Sequence, residues 1–227
     1  MRITVSLCAL LLSIPGGAAA QEWEVYTSQQ DHFSVNFPGR PQITETEWQS
    51  QLGYTLPARD YSAYRGRARF SLKVIDYSSL EQQGIARWQR CPSGNSQCRD
   101  GGETIGPGYW KQDERGAMVY AVSTYLKRPF EVTDYAWDWQ DMVEGHGLQL
   151  KSEGTRTFVH IAMHKRKLYI LEASAPEEEP EPGLFTQSLR WVDKNGKRIR
   201  YTEIIYSNSY HGLGVYPEPK YQPRELE

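Results

Sequence analysis

The sequence has almost no excess of either charge, since 26 lysines and arginines stand against 28 aspartates and glutamates among 227 residues. A protein without an excess of basic residues has no positive electrostatic field that would attract a polyanion, so we expect no nucleic-acid partner. After residues 1–20 no run approaches the roughly eighteen apolar residues that a membrane-spanning helix needs. Hydrophobic residues at 39% and charged residues at 24% are typical of a globular chain, here of a size for one domain.

The sequence also lacks the short motifs of well-known catalytic sites. It contains no Gly-x-Ser-x-Gly nucleophile turn, and the glycines of residues 101–108 have no Lys-Ser/Thr of a phosphate-binding loop. Pairs of carboxylates such as Asp134 and Asp138 are expected among 28 acidic residues and favour solvated faces. Spacing alone leaves a Ser-His-Asp set open, but no local pattern favours one. We therefore predict no catalytic residue, no cofactor and no metal site.

Two histidines, His160 and His164, are the best candidates for metal ligands, because they are separated by about one helical turn. Val159, Ile161 and Met163 alternate with them, and this alternation predicts a strand. On a strand, residues at i and i+4 lie about 13 Å apart, which is too far to share one ion. We predict that both histidines face solvent on a sheet.

Residues 1–20 have the three parts of a secretory signal peptide. Met1 and Arg2 supply positive charge, residues 3–14 form an apolar run, and Ala18–Ala20 offer small residues for cleavage. An N-terminal membrane anchor is the alternative, but the run is short for a hydrocarbon core of roughly 30 Å. We expect cleavage after Ala20 and a mature protein that is periplasmic or secreted, with no transmembrane segment.

The mature chain would keep two cysteines, Cys91 and Cys98, since Cys8 leaves with the signal peptide. In an oxidising compartment, such a pair on a loop rich in glycine and proline predicts a disulfide. Half of a zinc site is the alternative, but zinc-binding thiolates are usually closer in sequence and no second Cys or nearby His completes the ligand set. The spacing excludes a redox Cys-x-x-Cys. The disulfide would close only a short segment of a long predicted loop, residues 91–116.

Alternation of apolar and polar residues predicts strands along most of the chain, and helical spacing occurs over 79–90 and 183–192. The predicted strands cover residues 22–26, 33–37, 42–49, 58–64, 68–77, 117–127, 131–140, 145–152, 155–164, 167–173 and 197–206. These elements predict one α+β domain over residues 21–206, with a mostly antiparallel sheet of seven to nine strands and about two packed helices. A Tyr/Pro-rich tail, residues 207–227, follows it.

Motifs along this domain follow a recognisable order. Phe33-Ser-Val35-Asn-Phe37-Pro-Gly follows an aromatic-rich strand, and Leu168-Tyr-Ile170 and Asp193-x-Asn195-Gly come near the end. This order resembles uncharacterised exported proteins of Gram-negative bacteria that share a PsbP-like fold. The resemblance implies an antiparallel sheet sandwiched by helices. Its motifs are structural, so it implies no catalytic residues, and fold analogy does not transfer the photosystem role of PsbP itself.

Two groups of aromatic residues are the remaining candidates for function. Tyr135, Trp137 and Trp139 share one face of a predicted strand, where core packing is the default and a ligand-stacking platform the alternative. Tyr109 and Trp110 form a second amphipathic contact surface at the far end of the long loop. These features favour a non-catalytic binding or accessory module that binds an envelope protein or a small ligand. The alternatives are a hydrolase-type enzyme with a site assembled from distant residues, and a structural subunit that docks through the tail.

Overall fold

The computed structural model describes residues 22–90 and 108–206. The predicted signal peptide, the Cys91–Cys98 disulfide and the tail over residues 207–227 lie outside the described residues. Ten strands are present in the described part, numbered here in chain order: β1 Trp23–Ser28, β2 Phe33–Pro38, β3 Gln42–Gln49, β4 Thr55–Arg65, β5 Ala68–Asp76, β6 Glu131–Gln140, β7 Val143–Ser152, β8 Thr155–His164, β9 Lys167–Pro176 and β10 Arg190–Trp191.

The strands form two antiparallel sheets. The larger sheet has seven strands in the order β3-β4-β5-β9-β8-β7-β6, and the smaller has three in the order β1-β2-β10. The helices of the described residues are α1 Leu80–Gln89, α2 Trp110–Leu126 and the short α3 Gly183–Thr186. The prediction of an α+β fold with mostly antiparallel strands and about two packed helices is confirmed.

Three layers result, because each face of the larger sheet is covered. Helices α1 and α2 pack on one face, where Met118 and Tyr125 join a core with Leu148 and Ile161. The smaller sheet and α3 pack on the other face, where Phe37 and Trp191 belong to a second core. Burial of each such large side chain stabilises the fold by about 1.5–3 kcal/mol.

Local sequence explains why β2 is a strand. Phe33, Val35 and Phe37 alternate with polar residues and all three are buried between the two sheets. A strand projects every second side chain to one face, so this pattern buries three apolar side chains at once. The hairpin with β1, in which Trp23 lies opposite Pro38, follows the prediction from this pattern.

The strand predicted over residues 117–127 is wrong, because this segment lies in α2. Ala117, Ala121 and Tyr125 are buried one turn apart, so the 3.6-residue period decides the structure although many of its residues favour strands. The predicted long loop over residues 91–116 is also wrong at its far end, where α2 begins at Trp110.

Two predictions near the end of the domain also need correction. The helix predicted over residues 183–192 is only α3, after which the chain enters β10. The strand predicted over residues 197–206 is reduced to two isolated bridges, Val192 with Arg198 and Val143 with Ile205. None of the described helices is long and apolar enough to cross a membrane.

Candidate functional site

Strand β6 is the last strand of the larger sheet and pairs only with β7 within the described residues. It is ten residues long, and residues 131–137 are all exposed to solvent. The other edge strand, β3, is also exposed but is dominated by polar residues such as Glu45 and Glu47. An edge strand presents unpaired backbone N–H and C=O groups along its outer side. In the part of the chain that the structure describes, β6 therefore combines the outer backbone edge of the sheet with exposed side chains.

One face of β6 carries three large aromatic side chains, which we call the aromatic face. Tyr135, Trp137 and Trp139 lie opposite alternate residues of β7 and are 44–52% exposed. Core packing was the default expectation for these residues, and it is wrong. Helix α2 packs over β7, β8 and β9. It therefore leaves the side chains of β6, the outermost strand, exposed to solvent.

Tyr135 is held in place by His146, which lies on the neighbouring strand. The two rings are stacked with centroids 5.6 Å apart and planes 24° apart, and the Tyr135 hydroxyl lies 3.0 Å from His146 Nδ1. Burial, with a smaller contribution from His160, lowers the pKa of His146 to about 4. The imidazole is therefore neutral at physiological pH and can accept the hydrogen bond from Tyr135.

The opposite face of β6 borders a cavity of about 620 Å³, which we call the acidic groove. It lies on the side of the larger sheet that carries the smaller sheet, between β6, β7 and β8 and the segment around α3. The charged and titratable residues that line it are Asp134, Asp138, Asp141, Glu181, Arg190 and His160. Carboxylates thus outnumber the basic groups of the lining.

Asp138 and His160 form the best-defined contact in the acidic groove. His160 Nδ1 lies 2.9 Å from Asp138 Oδ2, and the Trp139 backbone N–H donates to Asp138 Oδ1 at 2.8 Å. Since a carboxylate only accepts, His160 donates its Nδ1 proton. The hydrogen bond from His160 is the first cause of the lowered pKa of Asp138. Asp138 therefore remains an ionised carboxylate with a fixed orientation.

Glycines on β7 make this contact possible. His160 on β8 reaches across β7 to Asp138 on β6, and a Cβ atom at Gly145 would lie 2.8 Å from His160 Cε1. A Cβ atom at Gly147 would lie 3.3 Å from Asp138 Cβ. The sequence signal for this site is therefore Gly145-His-Gly147, which the sequence analysis did not use.

The prediction that His160 and His164 face solvent is wrong, because they are 3% and 2% exposed. Both project toward the smaller sheet, which covers that face. His164 Nε2 lies 2.6 Å from the Tyr201 hydroxyl, and its ring lies 4.4 Å from the ring of Trp191 between centroids. Burial lowers the pKa of His164 to about 3. The alternation of apolar and polar residues predicted the strand correctly. The two histidines are buried because segments distant in sequence cover that face of the larger sheet.

The second ring nitrogen of His160 meets no nucleophilic side chain within the described residues. His160 Nε2 is buried and hydrogen-bonds to no side chain or backbone group in the described parts of the chain. A Ser, Thr or Cys nucleophile would have to lie at that atom to be activated. Nor does any group of three or more His, Cys, Asp or Glu residues within 22–90 and 108–206 have an arrangement that could hold a metal ion.

Tyr109 and Trp110, the second predicted contact surface, lie at the start of α2 and are half-buried. Tyr109 is the N-cap residue, and Trp110 packs so closely on α1 that a Cβ atom at Gly84 would lie 2.9 Å from Trp110 Cβ. The Arg166 guanidinium lies 5.5 Å from the Trp110 ring. Trp110 thus belongs to the packing of α1 against α2 and not to the surface of β6.

Comparison with known proteins found no family model that matches the chain and no curated protein that matches its sequence. The resemblance to exported proteins with a PsbP-like fold therefore remains a prediction from the motifs.

Proposed function

We propose that the chain is an exported, non-catalytic accessory protein that binds a partner protein along strand β6. The observation that carries this proposal is that a ten-residue edge strand is exposed on both faces and bears the aromatic face. Exposed aromatic side chains beside an unpaired backbone edge provide apolar contact area and hydrogen bonds in one place. A partner that adds a strand there would use both.

The contrast between the two edges of the larger sheet supports this choice. Long, apolar edge strands pair readily with other chains, and natural proteins usually protect them with charged or polar residues. Strand β3 has such protection, since Thr44, Glu45 and Glu47 are accompanied by only one strongly exposed apolar residue, Ile43. Strand β6 also carries acidic residues, Glu131, Asp134 and Asp138, but it exposes Val132 in addition to the aromatic face. An edge of this kind suits pairing with a partner.

Export is supported by the composition of residues 1–20. Intact-mass measurement of the protein recovered from outside the cytoplasm tests it. We expect a chain that begins at Gln21. Recovery of the protein in the cytoplasmic fraction alone would contradict export, and an exported chain that retains residues 1–20 would contradict cleavage after Ala20.

Pull-down from envelope extract tests partner binding, with three forms of the mature, oxidised protein: wild type, the double variant W137A/W139A, and Tyr64→Ala. Tyr64 is 59% exposed on β4 and serves as the matched control. We expect a protein that co-purifies with wild type and Tyr64→Ala but not with W137A/W139A. Hydrogen exchange with that purified protein should then slow at the β6 amides. Full retention by W137A/W139A, with no protection of β6, would overturn the proposal.

A further inference from the structure

We infer that the segment which pairs with β6 carries basic side chains at alternate positions and places a lysine or arginine in the acidic groove. The inference rests on the proposed function and names the chemistry of the partner. A strand that pairs with β6 directs alternate side chains to opposite faces of the extended sheet. One set would lie beside the aromatic face, and the other beside Asp134 and Asp138.

The register of β6 places these two carboxylates on one face. Asp134 lies opposite Gln149 and Asp138 lies opposite Gly145, both on the groove side of β7. Opposite charges on neighbouring strands stabilise pairing, and like charges oppose it. Basic side chains from an added strand would therefore meet fixed negative charge on this face.

Asp138 suits such a contact because its carboxylate is ionised and oriented before a partner arrives. His160 and the Trp139 N–H bind one oxygen each, at 2.9 and 2.8 Å, while the side chain stays 45% exposed. An ionised carboxylate retains further lone pairs for donors from a guanidinium or ammonium group. Pre-orientation lowers the entropic cost of binding.

Apart from the hydrogen bond from His160 to Asp138, the basic groups around the acidic groove contact residues other than Asp134 and Asp138 within the described part of the chain. Arg190 donates to the backbone carbonyls of Gln187 and Leu189. Arg156 lies 3.4 Å from Glu181, and Arg198 lies 2.9 Å from Asp141. At the far end of β6, Glu131 lies opposite Lys151. The carboxylates of Asp134 and Asp138 are thus the ones available to a cationic partner.

A second copy of this chain is disfavoured at the same edge in registers that bring the aspartates of the two copies together. Antiparallel pairing of two copies about a twofold axis would put the acidic residues of both on one side of the joined sheet. In the register centred on Ala136, Asp134 would lie opposite Asp138 of the second copy, twice in each dimer. Such like-charge pairs destabilise strand pairing. The carboxylates of β6 therefore favour a basic partner segment over a second copy in this register.

Synthetic peptides of the length of β6 test the inference, with three sequences that alternate valine with lysine, glutamine or glutamate. Affinity is measured by calorimetry and by the tryptophan fluorescence of the protein. We expect the lysine peptide to bind at least about tenfold more tightly than the glutamine peptide, and the glutamate peptide more weakly still. The variants Asp134→Asn and D134N/D138N should remove most of the difference between lysine and glutamine. The matched control E45Q/E47Q, on the opposite edge strand, should retain it.

Backbone methylation of the lysine peptide distinguishes strand addition from simple charge attraction. In a strand every second N–H points to the same neighbour, so methylation of one alternate set should abolish binding and methylation of the other should not. Equal affinity for the lysine and glutamine peptides, both lost in W137A/W139A, would overturn the charge inference and leave the proposed function standing. Lysine-peptide binding that is insensitive to methylation and to W137A/W139A would overturn strand addition itself. No binding of any peptide at millimolar concentration would overturn the inference, while the pull-down decides the proposed function separately.

Discussion

Asp31 and Arg59 form a largely buried ion pair, with the guanidinium Nη1 2.7 Å from both carboxylate oxygens. The carboxylate also accepts from the Tyr61 hydroxyl at 2.6 Å and from Lys167 Nζ at 3.2 Å. Asp31 lies in the turn between β1 and β2, whereas its three partners lie on β4 and β9. A single carboxylate therefore fastens the smaller sheet to the larger one.

Replacement of this carboxylate should destabilise the domain strongly. In Asp31→Asn, Arg59 and Lys167 would keep their charges with less compensation, and loss of one partner from a buried pair costs about 3–5 kcal/mol. Urea unfolding followed by circular dichroism measures the change in free energy of unfolding. The matched control is Arg67→Ala, which removes an exposed ion pair with Glu178 and should cost less than about 1 kcal/mol. Equal effects of the two substitutions would show that Asp31 does not join the sheets.

Gly145 should not tolerate a larger side chain. In Gly145→Ala the new Cβ atom would collide with the Ile161 carbonyl oxygen and lie 2.8 Å from His160 Cε1. We expect a loss of about 1–3 kcal/mol in stability from this overpacking, measured by thermal or urea unfolding. Gly183→Ala is the control, because nothing lies within 4 Å of a Cβ atom there. A Gly145→Ala protein as stable as Gly183→Ala would contradict the packing of His160 across β7.

Stability should fall as the pH falls from 6.5 toward 3. Burial lowers the folded-state pKa of His164 to about 3, whereas its ordinary value is 6.5. Between these values the unfolded chain binds a proton that the folded chain does not, so the stabilisation is complete above 6.5 and is lost on acidification. The slope per such histidine approaches about 1.4 kcal/mol per pH unit.

The variant His164→Gln isolates this contribution, since an amide can still hydrogen-bond the Tyr201 hydroxyl but does not titrate. Urea unfolding at several pH values between 7 and 4 should give a shallower dependence for the variant than for wild type. His146, whose pKa is lowered to about 4 by burial, adds a similar slope to both proteins. If the free energy of unfolding depended on pH equally in both proteins, the folded state would not suppress protonation of His164.

The two cysteines of the mature chain should be linked. Non-reducing peptide mapping of the exported protein should recover a Cys91–Cys98 disulfide, because two cysteines so close in sequence are expected to pair in an oxidising compartment. Closure of so short a loop contributes at most about 2–3 kcal/mol, so reduction should lower the stability only modestly. Complete alkylation of both cysteines without reductant would refute the disulfide.

Several features of the fold could be predicted because they depend on neighbours along the chain. Alternation in Phe33–Phe37 and around His160 predicted strands correctly, since the two-residue period of a strand is a local property. The aromatic face could be predicted for the same reason, since Tyr135, Trp137 and Trp139 are two residues apart. The spacing of apolar residues did not predict the structure of residues 117–127, where residues that favour strands also recur at helical intervals.

The order of the strands and the cover of each face were decided by the tertiary structure. Trp137 is exposed because β6 is the outermost strand, while His164, on a strand of similar local pattern, is buried beneath Trp191. The pair of Asp138 and His160 exists only because two glycines of β7 leave room for a side chain to cross that strand. Local sequence sets which side chains share a face, but whether a face meets solvent, a helix or another sheet depends on segments distant in sequence, whose packing is a property of the whole domain.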